Sequence, residues 1–409
     1  MKKLSLLLTP LVLFSQSFMI SNIPLPKTYI QNLDPYPCNN ECLQEYIDNG
    51  KIFSFLAHAP SKLKDAQQND LRIMYLSILN LGSTTSGKKL KFAIILPYKK
   101  IGRYASSTTN ATFAYLMTKG NPFLLKTYKI DTESKEELEN TIQTIKNDGF
   151  NYIIAPLTQN GAQNLIDIQP TSSIYFPTIN KRDVNSSKSN IYFGAIDYKA
   201  QSDKLLKNAV SPLIIFSDKS KTGKKLSTFQ KESFLTQETT ENEDIKKVIQ
   251  YYISRRTTNL ERYLKENEKI VNGSFFINTP IIKTGMIMSQ LTLYDTNSTN
   301  VLSTQINYNP LLLSMTQYTD RKDMIVANSI TKHDNILIET NSILGNDIVY
   351  DWINYTTTVG VDYFYSHITS EARTYNIELL DNQMMYDIEL LKPARYRFKI
   401  VQEEDLLHL

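Results

Sequence analysis

The feature of this sequence that most constrains its fold is a regular alternation of short apolar runs with helical patterns, beginning at Lys89. The first run, Phe92–Leu96, is too short for a buried helix and is closed by Pro97, which cannot donate to a sheet ladder. It therefore predicts a central strand. A turn at 98–104 and a helical pattern at 105–116 follow. A strand, a turn and a helix in this order form the first half of a right-handed βαβ unit.

The alternation continues along the chain and then restarts. Four more strands are predicted in the first half, at 123–130, 152–156, 173–176 and 191–195. After a helix at 198–209, a strand at 213–217 and a helix at 223–234 open a second lobe. The remaining patterns predict helices at 244–256, 260–267, 283–294 and 346–360, and strands at 273–280, 301–305 and 324–327. Strands that alternate with helices predict a parallel sheet, so we expect an α/β protein with two lobes, each a mostly parallel sheet flanked by helices.

The rest of the sequence predicts appended segments around the two lobes. We expect a signal peptide at 1–19, a proline-rich arm and helical hairpin at 20–88, and a C-terminal β tail at 371–409. The hairpin would pair helices at 43–59 and 70–81, and the tail would turn near Asp381-Asn382. Lobe 1 would then span 89–211 and lobe 2 would span 212–370.

The N-terminus and the cysteines indicate the compartment. Lys2 and Lys3 precede an apolar segment at 4–14 that has the length of a secretion signal and is shorter than a membrane span. No Cys follows until Cys38, so there is no lipobox, and we expect a periplasmic protein with no membrane span after signal removal. In an oxidising compartment, Cys38 and Cys42, the only two cysteines, predict a disulfide, whereas a redox or metal pair lacks the expected spacing.

Composition and motifs exclude several classes of function. The net charge of +4 falls to about +2 without the signal peptide, which is too small an excess for a nucleic-acid surface. The four histidines are scattered, and neither paired carboxylates nor a nucleophile elbow is found. Lys219–Lys225 (KSKTGKK) lacks phosphate-loop spacing and predicts a solvated basic turn. We therefore expect no enzyme, no cofactor and no metal.

Ligands of parallel sheets bind beyond the carboxyl ends of the strands. On this ground the candidate ligand-binding residues are Arg103, Tyr104, Ser106, Ser107, Thr158, Asp197, Asn278, Thr279, Asn307 and Tyr308. The first loop and Thr158 would hold a carboxylate, and Asp197 would meet an ammonium group. The alternative is that Thr158 and Asp197 cap helices and Arg103 is solvated, which explains the same spacing without a ligand.

Several of these segments resemble a known family. The segments KFAIILPYKKIGRYA, NYIIAPLTQNGAQNL, NIYFGAIDYKAQSDKLLKNA and PLIIFSD are similar to the opening, third strand and crossover of type I periplasmic-binding-protein domains. Among these, the chain resembles the carboxy-terminal domain of the outer-membrane activator of penicillin-binding proteins over residues 89–365. It departs from the pattern at Ala155, where the family has Gly. The resemblance implies a hinged two-lobe fold.

Two functional hypotheses follow from the sequence. In the first, the protein is a non-catalytic periplasmic scaffold that binds a cell-envelope or cell-wall protein through its appended segments. In the second, it is a receptor for a small polar solute such as an amino acid, bound in the cleft between the lobes.

Overall fold

The computed structural model describes residues 30–79, 90–237 and 246–402, and two compact units divide the chain. The smaller unit contains Ile30 and the described residues from Cys38 to residue 79, and the larger contains Gln31–Pro37 and the chain from Leu90 onward. The signal peptide predicted at 1–19 and residues 20–29 of the arm lie outside the described residues. None of the helices in these three ranges is long and apolar enough to cross a membrane.

The smaller unit is built from three helices: α1 (Asn40–Asp48), α2 (Ile52–His58) and α3 (Ala66–Ile78). The prediction of one helix over 43–59 was wrong, because the chain turns at Gly50, whose φ of 66° suits glycine. Leu43, Phe55 and Leu56 form the centre of the core. The predicted disulfide joins Cys38 to Cys42 across the start of α1, with a Cα–Cα distance of 5.4 Å.

The larger unit consists of two lobes. The first lobe begins with β1 (Leu90–Leu96), α4 (Tyr98–Ile101), α5 (Tyr104–Thr118), β2 (Phe123–Lys129), α6 (Lys135–Asn147), β3 (Tyr152–Ile154), α7 (Gln159–Ile168), β4 (Ser173–Phe176) and β5 (Ile191–Phe193). The second lobe comprises α8 (Tyr198–Leu206), β6 (Leu213–Asp218), α9 (Lys221–Thr236), β7 (Val248–Ile253), α10 (Glu261–Leu264), β8 (Gly273–Asn278), α11 (Ile281–Leu293), β9 (Ser298–Ser303), α12 (Pro310–Met315), α13 (Tyr318–Arg321) and β10 (Met324–Asn328). The chain ends with α14 (Asn335–Ile343), α15 (Trp352–Thr369), β11 (Glu378–Leu380), β12 (Gln383–Met385), β13 (Glu389–Pro393) and β14 (Phe398–Ile400).

Each lobe contains a seven-stranded sheet. The strand orders are β2-β1-β3-β4-β5-β12-β11 and β7-β6-β8-β9-β10-β13-β14. Pairing is parallel from the first strand of each order to the fifth, and antiparallel pairs occur only towards the C-terminal strands. The predicted fold class, a two-lobe α/β unit with mostly parallel sheets, is therefore confirmed. The central strands are apolar on both faces because helices cover both.

The chain crosses between the lobes three times. It leaves the first sheet after β5, returns after β10 and crosses again between β12 and β13, at 194–197, 329–334 and 386–388. Helices α14 and α15 pack against α5 of the first lobe, although the sequence pattern assigned 212–370 to the second. An alternation of strands and helices cannot reveal this return, because it fixes the type of each element and not its partner.

Two local predictions differ from the structure. Residues 244–256 were expected to form a helix, but 248–253 form β7, which pairs along its whole length with β6. Its β-branched and aromatic residues (VIQYYI) favour a strand once a neighbouring edge is available. The tail does turn at Asp381-Asn382, both with positive φ, but it forms two hairpins instead of one. One hairpin extends the first sheet and the other extends the second.

The second crossover contains a buried histidine that makes stability depend on pH. The Nδ1 atom of His333 lies 2.7 Å from the hydroxyl oxygen of Tyr375. Burial lowers the pKa of His333 to about 4, although the negative charge of Asp347 acts to raise it. The unfolded chain takes up a proton near pH 6.5, whereas the folded chain does so only near pH 4. Stability from this group is therefore complete above about pH 6.5 and falls as the pH is lowered towards 4.

We expect the substitution His333→Asn to remove this part of the pH dependence, since Asn keeps a polar group near Nδ1 and does not titrate. Between about pH 7 and pH 4 the free energy of unfolding of the wild type should fall by up to about 3 kcal/mol more than that of the variant. Urea unfolding across this range measures the difference, in which the contributions of carboxylates cancel. Parallel pH profiles of the two proteins would contradict the prediction.

Candidate functional site

A concave site lies at the carboxyl ends of the first lobe's strands, facing the second lobe. Its volume is about 520 Å³. The loops after β3, β4 and β5 form one side, and the start of α9 forms the other. The apolar part of the wall includes Ile101, Leu157, Ile179, Ile196, Ile306 and Trp352. This position at the carboxyl ends of parallel strands is the one in which such folds bind ligands.

Thr158, predicted to hold a ligand carboxylate, lies in this site and already binds a carboxylate of the chain. Its backbone N–H donates to Oε1 of Glu133 at 2.8 Å, and its hydroxyl donates to Oε2. The hydroxyl also accepts the N–H of Gly161 as the cap of α7. Glu133 is only 7% exposed. The N-terminus of α7, where an anion would be favoured, is therefore occupied by the side chain of Glu133.

Asp197 lies in the site as well and is engaged in the same way. Its Oδ1 atom accepts the N–H groups of Lys199 and Ala200, both at 3.0 Å, and so caps α8. Its Oδ2 atom forms an ion pair with Arg182. Nε of Arg182 in turn donates to the side-chain oxygen of Asn180 at 3.0 Å. The carboxylate that was expected to meet a ligand ammonium group therefore has a guanidinium and two backbone amides as partners.

The second lobe closes over the site through α9. The hydroxyl of Ser220 accepts the N–H of Gly223 at 3.0 Å and donates to Asp218 at 2.5 Å, so this helix also starts with a cap from the chain. Lys225 forms an ion pair with Asp183 in the loop after β4. Lys221 donates to Oε1 of Gln159 at 3.3 Å. These two pairs join the lobes across the opening of the cleft.

The candidates from the loop after β1 differ in whether they reach the cavity. Tyr104 lines the cavity. Arg103 lies over the Tyr104 ring, and its charge opposes the effect of burial, which raises the pKa of Asp351. Ser106 is exposed and donates to the carbonyl of Arg103 at 2.8 Å.

The candidates in the second lobe lie within its packed interior. Asn278 is buried and exchanges two hydrogen bonds with Gln230, at 2.6 and 3.1 Å. The hydroxyl oxygens of Thr279 and Thr284 lie 2.9 Å apart. The neighbouring candidates behave similarly, because the Asn307 amide donates to the hydroxyl of Ser303 and Tyr308 packs on Tyr350 and Phe398. Three of the ten candidate ligand-binding residues, namely Tyr104, Thr158 and Asp197, therefore line one cavity.

Sequence reasoning missed the residues that complete this site. Glu133 comes immediately before the capping Ser134 of α6, and an acid there reads as a helix-start residue, although it reaches α7. Lys221 and Lys225 lie in the segment interpreted as a solvated basic turn. Trp352, the only tryptophan, was assigned to a helix and not to a site. The only available signal was the excess of basic residues in KSKTGKK.

Glu133 offers a direct test of whether the chain fills its own anion position. We expect Glu133→Ala to lower the free energy of unfolding by about 2 kcal/mol, because the N–H and hydroxyl of Thr158 lose their acceptor. Formate should then bind at the vacated α7 N-terminus and restore part of the loss. Thermal unfolding in increasing formate, with equal chloride as reference, measures this recovery.

Glu136→Ala is the matched control, since Glu136 is exposed in the first turn of α6. This variant should change the free energy of unfolding by less than about 0.5 kcal/mol. Formate should not stabilise it further. Equal formate stabilisation of wild type and Glu133→Ala would show that Glu133 does not occupy the position.

No protein-family model and no curated protein matches this sequence. Solved structures do match. The leucine binding protein LivK from Thermotoga maritima has a TM-score of 0.53 at 11% identity, with 76% of this chain and 98% of that chain covered. LivJ from Streptococcus pneumoniae, solved in complex with isoleucine, has a TM-score of 0.51 at 8% identity, covering 77% and 99%.

A third similar structure is the C-domain of LpoA from Haemophilus influenzae, described as a regulator of PBP1A. It has a TM-score of 0.51 at 9% identity, with 76% of this chain and 100% of that domain covered. At these identities the likeness concerns the fold alone. The strand orders, the three crossovers and these matches together show that the larger unit of this chain has the type I periplasmic-binding-protein fold.

Proposed function

We propose that this protein is a non-catalytic periplasmic scaffold, and that its two-lobe unit binds a protein of the cell envelope. The proposal rests on one observation: the polar groups at the helix N-termini of the cleft are already bound by side chains of this chain. Glu133 occupies the N-terminus of α7, Asp197 that of α8, and Ser220 with Asp218 that of α9. A receptor for a small solute needs some of these groups unpaired, since they supply the polar contacts that orient its ligand.

Two further points support a scaffold. The pairs Lys225–Asp183 and Lys221–Gln159 join the two lobes directly across the opening of the cleft. In addition, a domain of the same fold, the LpoA C-domain, is described as a regulator of PBP1A, so a protein partner is compatible with this architecture. The proposed location, the periplasm, rests on the predicted signal peptide.

The second candidate function is a receptor for a small polar solute such as an amino acid. The cavity of about 520 Å³ and the solved complex of LivJ with isoleucine favour it. Five cationic and two acidic side chains line this cavity among the described residues, so its solute would carry acidic groups. Those side chains are Lys100, Arg182, Lys199, Lys221, Lys225, Asp183 and Asp197.

Two measurements on the full chain separate these functions. Mild crosslinking in periplasm, followed by purification, should recover a defined envelope protein in fixed ratio, and recovery of free monomer alone would overturn the scaffold proposal. Thermal-shift measurements with a panel of amino acids, dicarboxylates and small amides should show no concentration-dependent rise in Tm. A bound solute must raise Tm by mass action, so such a rise would establish the receptor instead.

A further inference from the structure

One of the two outer strands of the second sheet, β7, has an open edge within the described residues. The carbonyl of Lys247 accepts the N–H of Leu213 at 2.8 Å, which fixes the phase of the ladder with β6. Since backbone groups of a parallel strand alternate in direction, the N–H and C=O groups of Val248, Gln250 and Tyr252 face outward. In the three described ranges these outward groups have no backbone partner. An unpaired edge of this kind is a template for another strand.

The equivalent strand of the first sheet, β2, is covered by the chain itself. Its outward groups include the carbonyl of Phe123 and the N–H of Leu125, and the side-chain amide of Gln31 binds both. The hydroxyl of Thr127 donates to the carbonyl of Leu33 at 3.2 Å. Both β2 and β7 are outer strands, each next to the first strand of its lobe. The described chain therefore covers one edge with Gln31–Pro37 and leaves the other bare.

The charges around β7 indicate what can bind there. Lys247 precedes the strand and Arg255 and Arg256 follow it, and all three are exposed. None of them forms an ion pair with another described residue. A second copy of this chain paired edge to edge would bring these cations against one another in either orientation, which is unfavourable. Carboxylates at both ends of an added strand would instead be complementary.

We propose that the outer edge of β7 binds an extended, acidic segment of a partner protein as an additional strand. This inference rests on the proposed function, because it assigns the surface through which the scaffold holds its partner. The backbone groups of Val248, Gln250 and Tyr252 supply the hydrogen bonds, as in other cases of strand addition. Lys247, Arg255 and Arg256 contact the acidic side chains and set the preference for an anionic segment.

The test uses the full chain and a fluorescein-labelled synthetic peptide of about nine residues, with alternating Val and Thr flanked by two Glu at each end. Fluorescence anisotropy should show saturable binding, and replacing the four Glu by Lys should weaken it by about tenfold or more. Amide hydrogen exchange should slow at Val248, Gln250 and Tyr252 when the peptide is added. Absence of binding, or protection elsewhere in the chain only, would overturn the proposal.

Tyr252→Pro tests the edge directly. Pro removes an outward N–H and leaves the ladder with β6 in place, because the inward groups belong to Tyr251 and Ile253. It should weaken peptide binding by about tenfold or more, whereas Tyr252→Thr, which keeps the N–H, should change it by less than about twofold. Should the Pro variant not fold, Arg255→Ser with Arg256→Ser provides the second test and should also weaken binding.

Three outcomes separate this inference from the proposed function. If wild type and Tyr252→Pro crosslink to the same envelope protein in equal yield, the edge is not the docking surface, although the scaffold function stands. Loss of that crosslink in Tyr252→Pro alone, with Tyr252→Thr unaffected, supports the inference. A wild-type dimer in sedimentation that Tyr252→Pro dissociates would overturn it, since the occupant would then be a second copy.

Discussion

Gly360→Ala should be among the most destabilising single substitutions in this protein, lowering the free energy of unfolding by about 4 kcal/mol. A Cβ atom at Gly360 would lie 2.1 and 2.2 Å from Cε1 and Cδ1 of Tyr175. Tyr175 is 0% exposed, and its hydroxyl donates to the carbonyl of Thr356 at 2.7 Å. Its ring therefore has no space into which it can move. Displacing the ring costs about as much as deleting it, ~3–5 kcal/mol.

The sign of the change in the free energy of unfolding distinguishes a packing clash from an effect of helix propensity. Gly360 lies in the middle of α15, where Ala would by itself stabilise the helix by up to about 1 kcal/mol. Urea unfolding measures the change, with Gly120→Ala as the control because a Cβ there meets nothing within 4 Å. In a Tyr175→Val background, Gly360→Ala should cost less than about 1 kcal/mol. An equal loss in both backgrounds would rule out the contact with Tyr175.

Much of the fold can be predicted from the sequence because local patterns and tertiary packing agree there. The strands that open each lobe are short apolar runs closed by Pro or a polar residue, and they become central strands as expected. Disagreement begins where the outcome depends on a distant partner. VIQYYI becomes β7 because the edge of β6 is next to it, and α14 and α15 return to pack against α5 of the first lobe.

In the candidate site, too, local sequence patterns predict the positions of residues but not their distant partners. Thr158 and Asp197, chosen for their position after strand ends, both line the cavity, because the carboxyl ends of parallel strands meet at one edge of a sheet. Their partners could not be predicted, since Glu133 is 25 residues from Thr158 and Arg182 comes from a different loop than Asp197. Whether a polar side chain is available to a ligand or already paired depends on these long-range contacts.

The edge strands β2 and β7 of the larger unit differ in how the chain's appended segments cover them. The sequence predicted that the proline-rich arm docks onto a partner, but part of this arm covers β2. The tail likewise extends both sheets through β12 and β13. Neither segment is then free in the way expected of a flexible docking element. Neither of these described segments covers the outer edge of β7, which is the surface that we propose for the partner.

Asp362→Ala should match Gly360→Ala in effect, with a loss of about 4 kcal/mol in the free energy of unfolding. Asp362 is 0% exposed in the middle of α15. Its carboxylate accepts the hydroxyl of Tyr115 at 2.6 Å and the backbone N–H groups of Thr374 and Tyr375 at 2.7 and 3.1 Å. Removing it takes this acceptor from the buried Tyr115 hydroxyl and from the N–H groups of Thr374 and Tyr375, and it leaves Arg373, whose Nε lies 3.6 Å away, without its counter-charge.

Substitutions graded around Asp362 can separate this network from a general packing defect. Asp362→Asn keeps the volume and one acceptor but turns an N–H towards other donors, so it should cost about 2 kcal/mol. Glu339→Ala, on an exposed face of α14, should cost less than about 0.5 kcal/mol. Tyr115→Phe should cost about 1 kcal/mol in the wild type and almost nothing beside Asp362→Ala, because its hydroxyl has then already lost its acceptor. Additive losses in urea unfolding would mean that Asp362 does not hold α5 to α15 through this hydroxyl.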